Sequence, residues 1–481
     1  MASLGAALSY YTLPVIRDPF RARFILCLSI FLVVLVSLSR VFFQAGIQRR
    51  LLALSAGLIL GIAAAASLEG PPRLGLPGEA VQGISGVMGE DPRESSGGQG
   101  ARRAAGMGYL DLRGVTGAGG LRSTARGRVL VFFPPEALPR LREFGRGAEV
   151  LVEGAFAGGF NGASPMFRAK AVHIVKPAPA WEQLRTGIRL VILDKLRPHI
   201  WGGLGAALLL GVKDNLDSEL AKKYQFAGCS HVLALSGMHL AIVAAITAFF
   251  LRKPLGLKLS SIAGAVLILL YVALIGAQPS LERAAIMYLL GAAAVLGFLP
   301  RRPLSLLAMA FLIQIVLRPS AGASLSFILS YLALAGILTV GEFFHGILRG
   351  RLPELLASPL AASLGAYLAT AAVVAAGFGI IRPVGLLAGL VIVPLTTVFM
   401  VGAMAALALS FISPFLTGII GMGLTLFYSL LDHMVTLAAR VPGLAANGWG
   451  RELSLSLLVV GLCIFPGRPY SIRRQSLAPF N

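Results

Sequence analysis

Two histidines and a serine stand at the beginning of an apolar run that is long enough to cross a membrane. They are His231, Ser236 and His239 of the segment CSHVLALSGMHLAIVAA, residues 229–245. On a straight helix with about 100° per residue, the three side chains share one broad stripe. Gly237 beside them lets another backbone approach or breaks the helix. Ionisable residues inside a membrane are expensive and usually face a cavity, so this segment is the first candidate site.

Three kinds of chemistry are open to such a segment. A metal site needs three or four converging ligands, but the chain has only six histidines and none forms HxH or HExxH. A hydrolase would use Ser236 with a histidine one turn on, but no GxSxG nucleophile elbow surrounds this serine. The third interpretation is a polar lining for a permeation path, or a buried hydrogen-bonded contact between helices. We predict no catalytic residue, no metal and no cofactor.

Two further segments place polar residues at the ends of apolar runs. In GAQPSLERAAIMYLLG (276–291) they surround Pro279, which disrupts a helix. In LRPSAGASLSFILSYLALAG (317–336), Ser326 and Ser330 are four residues apart and share a helix face. Polar stripes on several spans favour an aqueous path over one isolated contact. The predicted channel-lining or bundle-polar residues are His231, Ser236, Gly237, His239, Gln278, Ser280, Arg283, Ser326, Ser330 and Tyr331.

The composition indicates that membrane helices position these side chains. Hydrophobic residues make up 56% of the 481-residue chain and charged residues only 13%, against about 25% charged in soluble proteins. Apolar runs of about 17–25 residues mark membrane-spanning helices. We predict a polytopic α-helical membrane protein with about eleven spans. The runs lie near 23–43, 51–67, 231–251, 258–276, 283–299, 303–317, 324–340, 357–379, 383–410, 413–438 and 453–466.

A glycine-, proline- and arginine-rich region interrupts the apolar runs at residues 68–180. Five short segments in it have strand composition, and turn residues separate them. They are 81–89, 106–115, 127–133, 148–156 and 167–175. Five strands in about 100 residues fit a small β-barrel, and the OB-fold is the natural candidate. An OB-fold can hold single-stranded nucleic acid on a basic groove, although a structural spacer domain fits the composition as well. The basic candidates are Arg113, Arg126, Arg128 and Arg168.

An amphipathic segment, WEQLRTGIRLVILDKLRPHI (181–200), follows the predicted barrel. Leu184, Ile188 and Val191 recur at helical spacing, and basic residues occupy the opposite face. This pattern predicts a helix that lies at the membrane surface. The formal net charge of the whole chain is +21. Basic cytoplasmic loops explain part of that surplus, and the remainder suits anionic lipid or nucleic acid.

Three segments together resemble the ComEC family, the inner-membrane DNA channel of bacterial natural transformation. The resemblance covers most of the chain. Its hallmark is a G-x-x-H-L-L-A-x-S-G-x-H block, which corresponds here to Gly228, His231, Val232, Leu233, Ala234, Ser236, Gly237 and His239. A P-S-x-x-R-A segment corresponds to Pro279, Ser280, Arg283 and Ala284, and an L-S-F-x-x-S/A-Y segment to Leu325, Ser326, Phe327 and Tyr331.

The resemblance implies a channel that passes single-stranded DNA into the cytoplasm. Arg283 and the arginines of the barrel would attract the DNA, and the polar set would line or brace the path. The implied partners are single-stranded DNA, the DNA-receptor and DNA-processing competence proteins, membrane lipid and a possible second copy of the chain. The sequence departs from the family at Gly389, where an asparagine is usual, and it contains no H-x-H-x-D-H motif of the metallo-β-lactamase-like domain that many members carry. We expect any nuclease to be a separate polypeptide or to be absent.

The predicted order of domains combines these observations. It is an N-terminal transmembrane hairpin (1–67), an OB-like soluble domain (68–180), an amphipathic interfacial helix (181–204), a competence-type transmembrane channel domain (205–470) and a short basic tail (471–481). Two alternatives remain open. In the first, the chain is a transporter of a non-DNA substrate or a membrane scaffold that keeps the same fold. In the second, it is an intramembrane hydrolase that uses Ser236.

Overall fold

The computed structural model describes residues 73–94, 106–157, 165–276, 278–298, 302–322 and 324–445. The predicted apolar runs at 23–43, 51–67 and 453–466 lie outside these residues, as does the basic tail.

A five-stranded barrel occupies the first part of the described chain. The strands are β1 (Arg73–Leu74), β2 (Val81–Met88), β3 (Arg93–Glu94), β4 (Gly106–Gly117), β5 (Arg122–Arg126), β6 (Arg128–Phe133), β7 (Glu149–Ala157) and β8 (Met166–Lys176). Three short strands, β1, β3 and β5, lie beside the barrel and are not part of it. The barrel closes in the order β4-β2-β7-β8-β6 because β6 pairs again with β4. All five strands predicted from the sequence are present. Helix α1 (Leu138–Phe144) lies between β6 and β7, and the whole arrangement is OB-like.

The barrel core follows from the period-two alternation of its strands. On β6 the residues from Arg128 to Phe133 alternate between exposed or half-buried and fully buried, so that one side of the strand faces the core. Phe133 is 1% exposed, and Phe167 of β8 is fully buried. Gly154 lies where the register of β7 and β8 shifts, and a Cβ there would stand 2.0 Å from a backbone carbonyl oxygen of β8. The glycine therefore permits the bulge that curves the barrel.

Twelve further α-helices follow the barrel within the described residues. They are α2 (Ala180–Leu196), α3 (Gly202–Leu210), α4 (Ser218–Phe226), α5 (Gly237–Ile275), α6 (Pro279–Leu296), α7 (Pro303–Leu317), α8 (Pro319–Gly322), α9 (Leu325–Gly336), α10 (Glu342–Leu348), α11 (Glu354–Phe378), α12 (Val384–Ser410) and α13 (Pro414–Ala439). A short π-helix (Ile337–Gly341) joins α9 to α10. A two-stranded ladder pairs β9 (Ile380–Ile381) with β10 (Leu444–Ala445).

Within the described residues, six helical segments are long and apolar enough to cross a membrane. They are Gly237–Ile275, Pro279–Leu296, Leu325–Leu348, Glu354–Ala375, Val384–Ser410 and Phe415–Ala439. The first has 39 residues and is interrupted at Gly256, whose φ of 72° is not helical, so it is divided where the sequence separates the runs 231–251 and 258–276. Helix α7 has only 15 residues. The multi-pass character is therefore confirmed, and the count of eleven spans is not.

Helix α2 presents its two faces in an unexpected way. Its charged residues Glu182 and Arg185 are 2% and 6% exposed. Its apolar residues face outwards, and Leu184 and Val191 are 67% and 50% exposed. The predicted amphipathic helix is present, but its polar face is turned towards the protein, and the described residues leave its apolar stripe uncovered. Its location at the membrane surface stays a prediction.

The chain divides into two compact units. In the described part of the chain, the first unit contains the barrel and also residues 165–223, 230–327 and 395–433. The second unit contains residues 224–229, 328–394 and 434–445. In the second unit, Gly336 and Gly365 allow two helices to approach closely, since a Cβ on Gly365 would stand 2.5 Å from the carbonyl oxygen of Gly336. Small residues at such contacts are typical of packed membrane helices.

Candidate functional site

The polar block at residues 229–239 is not one continuous helix. A short 3-10 turn covers Ser230–Val232, and α5 begins only at Gly237, after Ser236 in an extended conformation (φ −126°, ψ 171°). The expectation that His231, Ser236 and His239 share one helical stripe is therefore wrong. His231 is exposed, whereas His239 is fully buried.

Ser236 and His239 form a capping box at the beginning of α5. The Ser236 hydroxyl accepts a hydrogen bond from the backbone N–H of Met238 (3.3 Å), and the backbone N–H of Ser236 donates to Nδ1 of His239 (3.1 Å). Both bonds satisfy N–H groups that a helix N-terminus would leave without partners. The distance of 3.2 Å between the Ser236 hydroxyl and Nδ1 follows from the same geometry. The cap explains the serine–histidine pair without a nucleophile.

The ring of His239 is oriented by that cap. Because Nδ1 accepts the Ser236 N–H, a neutral ring carries its proton on Nε2. The Nε2 atom is buried, and no described residue is its hydrogen-bond partner. A buried donor without a partner is costly, so this ring is a candidate contact for a group outside the described residues.

The N-terminus of α6 packs against the N-terminus of α5. The Ser280 hydroxyl donates to the carbonyl oxygen of Leu235 (2.6 Å). A guanidinium nitrogen of Arg283 lies 3.2 Å from the position that a Cβ would occupy at Gly237, so the missing side chain makes room for this cation. Pro279 is the first residue of α6, where the missing N–H costs nothing. It begins a helix here and does not interrupt one.

Gln278 completes this group of polar residues. It is the N-cap residue of α6, and its amide nitrogen lies 3.3 Å from the position of a Cβ on Gly211. The structure thus brings together six of the ten predicted residues, which we call the polar site: Ser236, Gly237, His239, Gln278, Ser280 and Arg283.

The remaining predicted residues lie elsewhere. His231 is exposed in the turn before α5, and Ser326 is exposed on α9. Ser330 is half-buried and Tyr331 is 8% exposed, and both belong to the second compact unit. Among the described residues, no three histidine, cysteine, aspartate or glutamate side chains are grouped so that they could hold a metal ion.

A buried hydrogen-bonded group beneath the polar site was not predicted. Glu282 accepts from Arg318 and also from Nε2 of Gln314 (2.9 Å). The same Nε2 atom donates to the carbonyl oxygen of Pro279 (3.0 Å), and Gln314 is 1% exposed. These bonds fix the first turn of α6 to the end of α7, and thereby position Ser280 and Arg283. The only sign of this hydrogen-bonded group in the sequence was a charged residue near the end of each apolar run.

A second unpredicted cluster attaches the barrel to the C-terminal end of α5. Arg185 of α2 donates to Asp91 in the loop after β2 (2.6 Å) and to Glu182 (2.6 Å). Arg189 also donates to Asp91, at 3.0 Å. The two arginines in addition donate to the backbone carbonyl oxygens of Leu274 (Arg185, 3.0 Å) and Ile275 (Arg189, 2.9 Å). We call Asp91, Glu182, Arg185 and Arg189 the docking cluster.

The docking cluster bridges three elements that are distant in sequence. Carbonyl groups at a helix C-terminus attract cations, so the two arginines also stabilise the end of α5. This end is three residues before Gln278 of the polar site. Burial by itself would raise the pKa of Asp91, but the charges of Arg189 and Arg185 outweigh burial and hold the pKa below its ordinary value of 3.8. The barrel is therefore held beside the polar site by an ionised carboxylate.

The four predicted barrel arginines divide into two kinds. Arg113 pairs with Glu149 at 3.2 Å, and Arg128 pairs with Asp111 at 2.9 Å. The side chains of Arg126 and Arg168 are exposed. An exposed ring, Tyr109, lies on the same outer surface, with the Arg128 guanidinium 5.5 Å from its centre. The surface formed by β4, β6 and β8 thus offers aromatic and cationic groups side by side.

The fold and the polar site together define a class of protein: a multi-pass membrane protein with an OB-like barrel attached to the C-terminal end of α5. Comparison with known proteins defines it further. The family described as "Competence protein" matches residues 208–467, which are 260 of the 481 residues. The chain belongs to the competence protein family, and the resemblance to ComEC is confirmed.

Two curated proteins are similar to parts of the chain. An uncharacterized protein of Aquifex aeolicus (strain VF5) is 27% identical over 299 residues, which cover 61% of this chain and 68% of that protein. ComE operon protein 3 of Bacillus subtilis (strain 168) is 31% identical over 144 residues, which cover 29% of this chain and only 18% of that protein. No solved structure matches the chain.

Proposed function

We propose that this protein carries single-stranded DNA across the inner (plasma) membrane during natural transformation. The observation that carries the proposal is the match of residues 208–467 to the competence protein family. That membership supports a role in DNA uptake for competence. The partners would be single-stranded DNA, a DNA receptor and the DNA-processing competence proteins. We propose no catalytic step for the described residues.

The electrostatics of the polar site support an anionic substrate. The N-termini of α5 and α6 meet there, and a helix N-terminus carries about half a positive charge. Arg283 adds a full charge directly beside Gly237. Phosphate groups suit such an environment. Hydroxyl and amide groups from Ser280 and Gln278 would let a chain of phosphates pass without binding it too tightly.

The barrel supports the same substrate from its outer surface. The corresponding face of OB-folds binds oligonucleotides, and exposed aromatic rings there stack on bases. Tyr109, Arg126 and Arg168 are the exposed groups that would act in this way. The docking cluster holds the barrel next to the polar site, so a strand released by the barrel would enter at the N-termini of α5 and α6.

A cross-linking experiment in transforming cells tests the path. A photoreactive amino acid replaces Gln278 in the polar site, and the control replaces Met422 of α13, which is 77% exposed on a candidate membrane span. During uptake of labelled DNA, light should produce a DNA adduct at position 278 and none at position 422. Digestion of the adduct by a nuclease specific for single strands should release the label. Equal labelling at both positions would contradict a path through the polar site.

Binding to the purified full chain tests the barrel separately. Replacing Arg126 and Arg168 by glutamine should lower the dependence of affinity on salt, by about 0.7 per arginine in the slope of log affinity against log salt for a single strand. Arg113→Gln is the matched control, because its charge is already engaged by Glu149. An equal effect of all three substitutions would show that the barrel surface does not bind DNA through its exposed arginines.

A further inference from the structure

An apolar groove lies along helix α2 in the first compact unit. Its volume is about 720 Å³, within the range of about 300–1,000 Å³ that is typical of ligand-binding clefts. Four helices bound it, α2, α3, α5 and α12, and its lining includes Leu184, Gly187 and Val191 of α2, Tyr271 of α5 and Phe411 of α12. An apolar cleft does not hold ordered water well, so its natural occupant is itself apolar.

The surroundings of the groove indicate that lipid reaches it. Leu184 and Val191 form one wall, and they are 67% and 50% exposed on the uncovered stripe of α2. The other walls include α5 and α12, which are both candidate membrane spans. The groove is thus continuous with surfaces that face hydrocarbon in a membrane. The charged face of α2 is already engaged in the docking cluster and does not compete for the groove.

A cation stands at one end of the groove. The ammonium group of Lys195 lies 5.7 Å from the centre of the Phe411 ring, which bounds the groove, and 3.5 Å from the carbonyl oxygen of Ser410. Arg197, two residues further along the chain, is also exposed. Asp194 offsets one of these two positive charges, so the segment 194–197 has a net charge of +1. An acyl chain in the groove would therefore place its headgroup beside Lys195, where a phosphate is favoured.

We propose that this groove is a binding site for one anionic phospholipid. An acyl chain lies between α2 and the helices α3, α5 and α12, and the headgroup phosphate contacts Lys195. The apolar run 23–43 of the chain itself suits the groove less well, because arginines flank it on both sides and would repel Lys195. The run 51–67 has arginines only before it and Glu69 after it, and its presence in the groove is an outcome of the test below. The bound lipid fills the space behind α2 and supports the helix whose other face holds the barrel. The proposal does not depend on what the protein transports.

Mass spectrometry of the intact full chain in detergent tests the proposal. The probe is dioleoyl phosphatidylglycerol, and the expected result is one lipid retained per chain. A Cβ on Gly187 would have no atom within 4 Å, so Gly187→Leu fills the groove without disturbing its walls and should reduce lipid retention at least tenfold. Gly423→Leu on α13 is the matched control, since that position is exposed and equally free of contacts, and it should retain the lipid.

A second variant tests the headgroup contact without any risk to folding. Lys195 is exposed, and Lys195→Gln should reduce the preference for phosphatidylglycerol over phosphatidylcholine about fivefold. Equal retention by the wild-type chain and Gly187→Leu would overturn the proposal, because the lipid would then be bound elsewhere. Retention of no lipid by the wild-type chain would also overturn it and would point to another part of the chain, or a second copy, as the occupant of the groove. An unchanged preference in Lys195→Gln would overturn the assignment of the headgroup.

Discussion

Replacing Arg185 by methionine should release the barrel from the end of α5. Arg185 is 6% exposed and bonds to Asp91, to Glu182 and to two backbone carbonyl groups. Removing one partner of a buried ion pair costs about 3–5 kcal/mol, because it leaves the other charge without compensation. Arg189 still holds Asp91, and Arg146 lies 3.7 Å from Glu182. The lower limit, about 3 kcal/mol, is therefore the expected cost.

Hydrogen–deuterium exchange of the full chain in detergent measures this change. The backbone amides of residues 89–91 in the loop after β2 should exchange about two orders of magnitude faster in Arg185→Met, since a tenfold change corresponds to about 1.4 kcal/mol. Arg113→Met is the control: its partner is Glu149, its side chain is 63% exposed, and such pairs contribute about 0–1 kcal/mol. Exchange that is no faster at this loop in Arg185→Met than in Arg113→Met would refute the docking role of the cluster.

Three further predictions follow from individual contacts. Ser236→Ala should weaken the first turn of α5 by about 1 kcal/mol, seen as faster amide exchange there, whereas Ser236→Asn should preserve the cap. Gly365→Ala should destabilise the second unit by about 1–3 kcal/mol, with Gly389→Ala, whose Cβ would meet nothing within 4 Å, as a control that should change little. Thiol labelling of Cys229 during heating measures this unfolding in a chain whose other two cysteines are replaced by serine. Burial raises the pKa of the Cys229 thiol to about 11 and keeps the thiol unreactive in the folded chain. Because the pKa of Asp91 is lowered on folding, its contribution to docking should be constant above about pH 5 and be lost only as the pH falls through that lowered pKa; exchange at residues 89–91 that accelerates already near neutral pH would contradict it.

The barrel could be predicted from sequence because its signals are local. Each strand alternates between inward and outward residues and ends at turn residues, so the five segments could be placed within a few residues. The helices α5, α6, α11, α12 and α13 could be placed for a similar reason, since a long apolar run has few alternatives. The division of α5 at Gly256 also coincides with a gap between two predicted runs, where charged residues interrupt the hydrophobic pattern.

The geometry of the polar site could not be predicted in the same way. A helical projection of residues 229–239 assumes a helix, but Ser236 and His239 satisfy the exposed N–H groups better as a cap, so the helix begins at Gly237. The periodicity of α2 predicts two faces without saying which one is covered. Asp91, about ninety residues away in sequence, bonds to the charged face of α2 and so turns that face towards the protein. No local sequence pattern identifies such a distant partner.

Uptake of DNA into the cytoplasm of the native host tests the central claim most directly. The host strain lacks the gene and carries either the wild-type chain, Arg283→Gln, or Arg252→Gln, which removes an exposed charge before Gly256 in α5. We expect that nuclease-resistant labelled DNA fails to accumulate in the deletion strain and in Arg283→Gln, and accumulates normally in Arg252→Gln, with all variants present in the membrane at equal amounts. Normal uptake in the deletion strain would contradict DNA transport by this protein. Normal uptake in Arg283→Gln would contradict the role of the polar site.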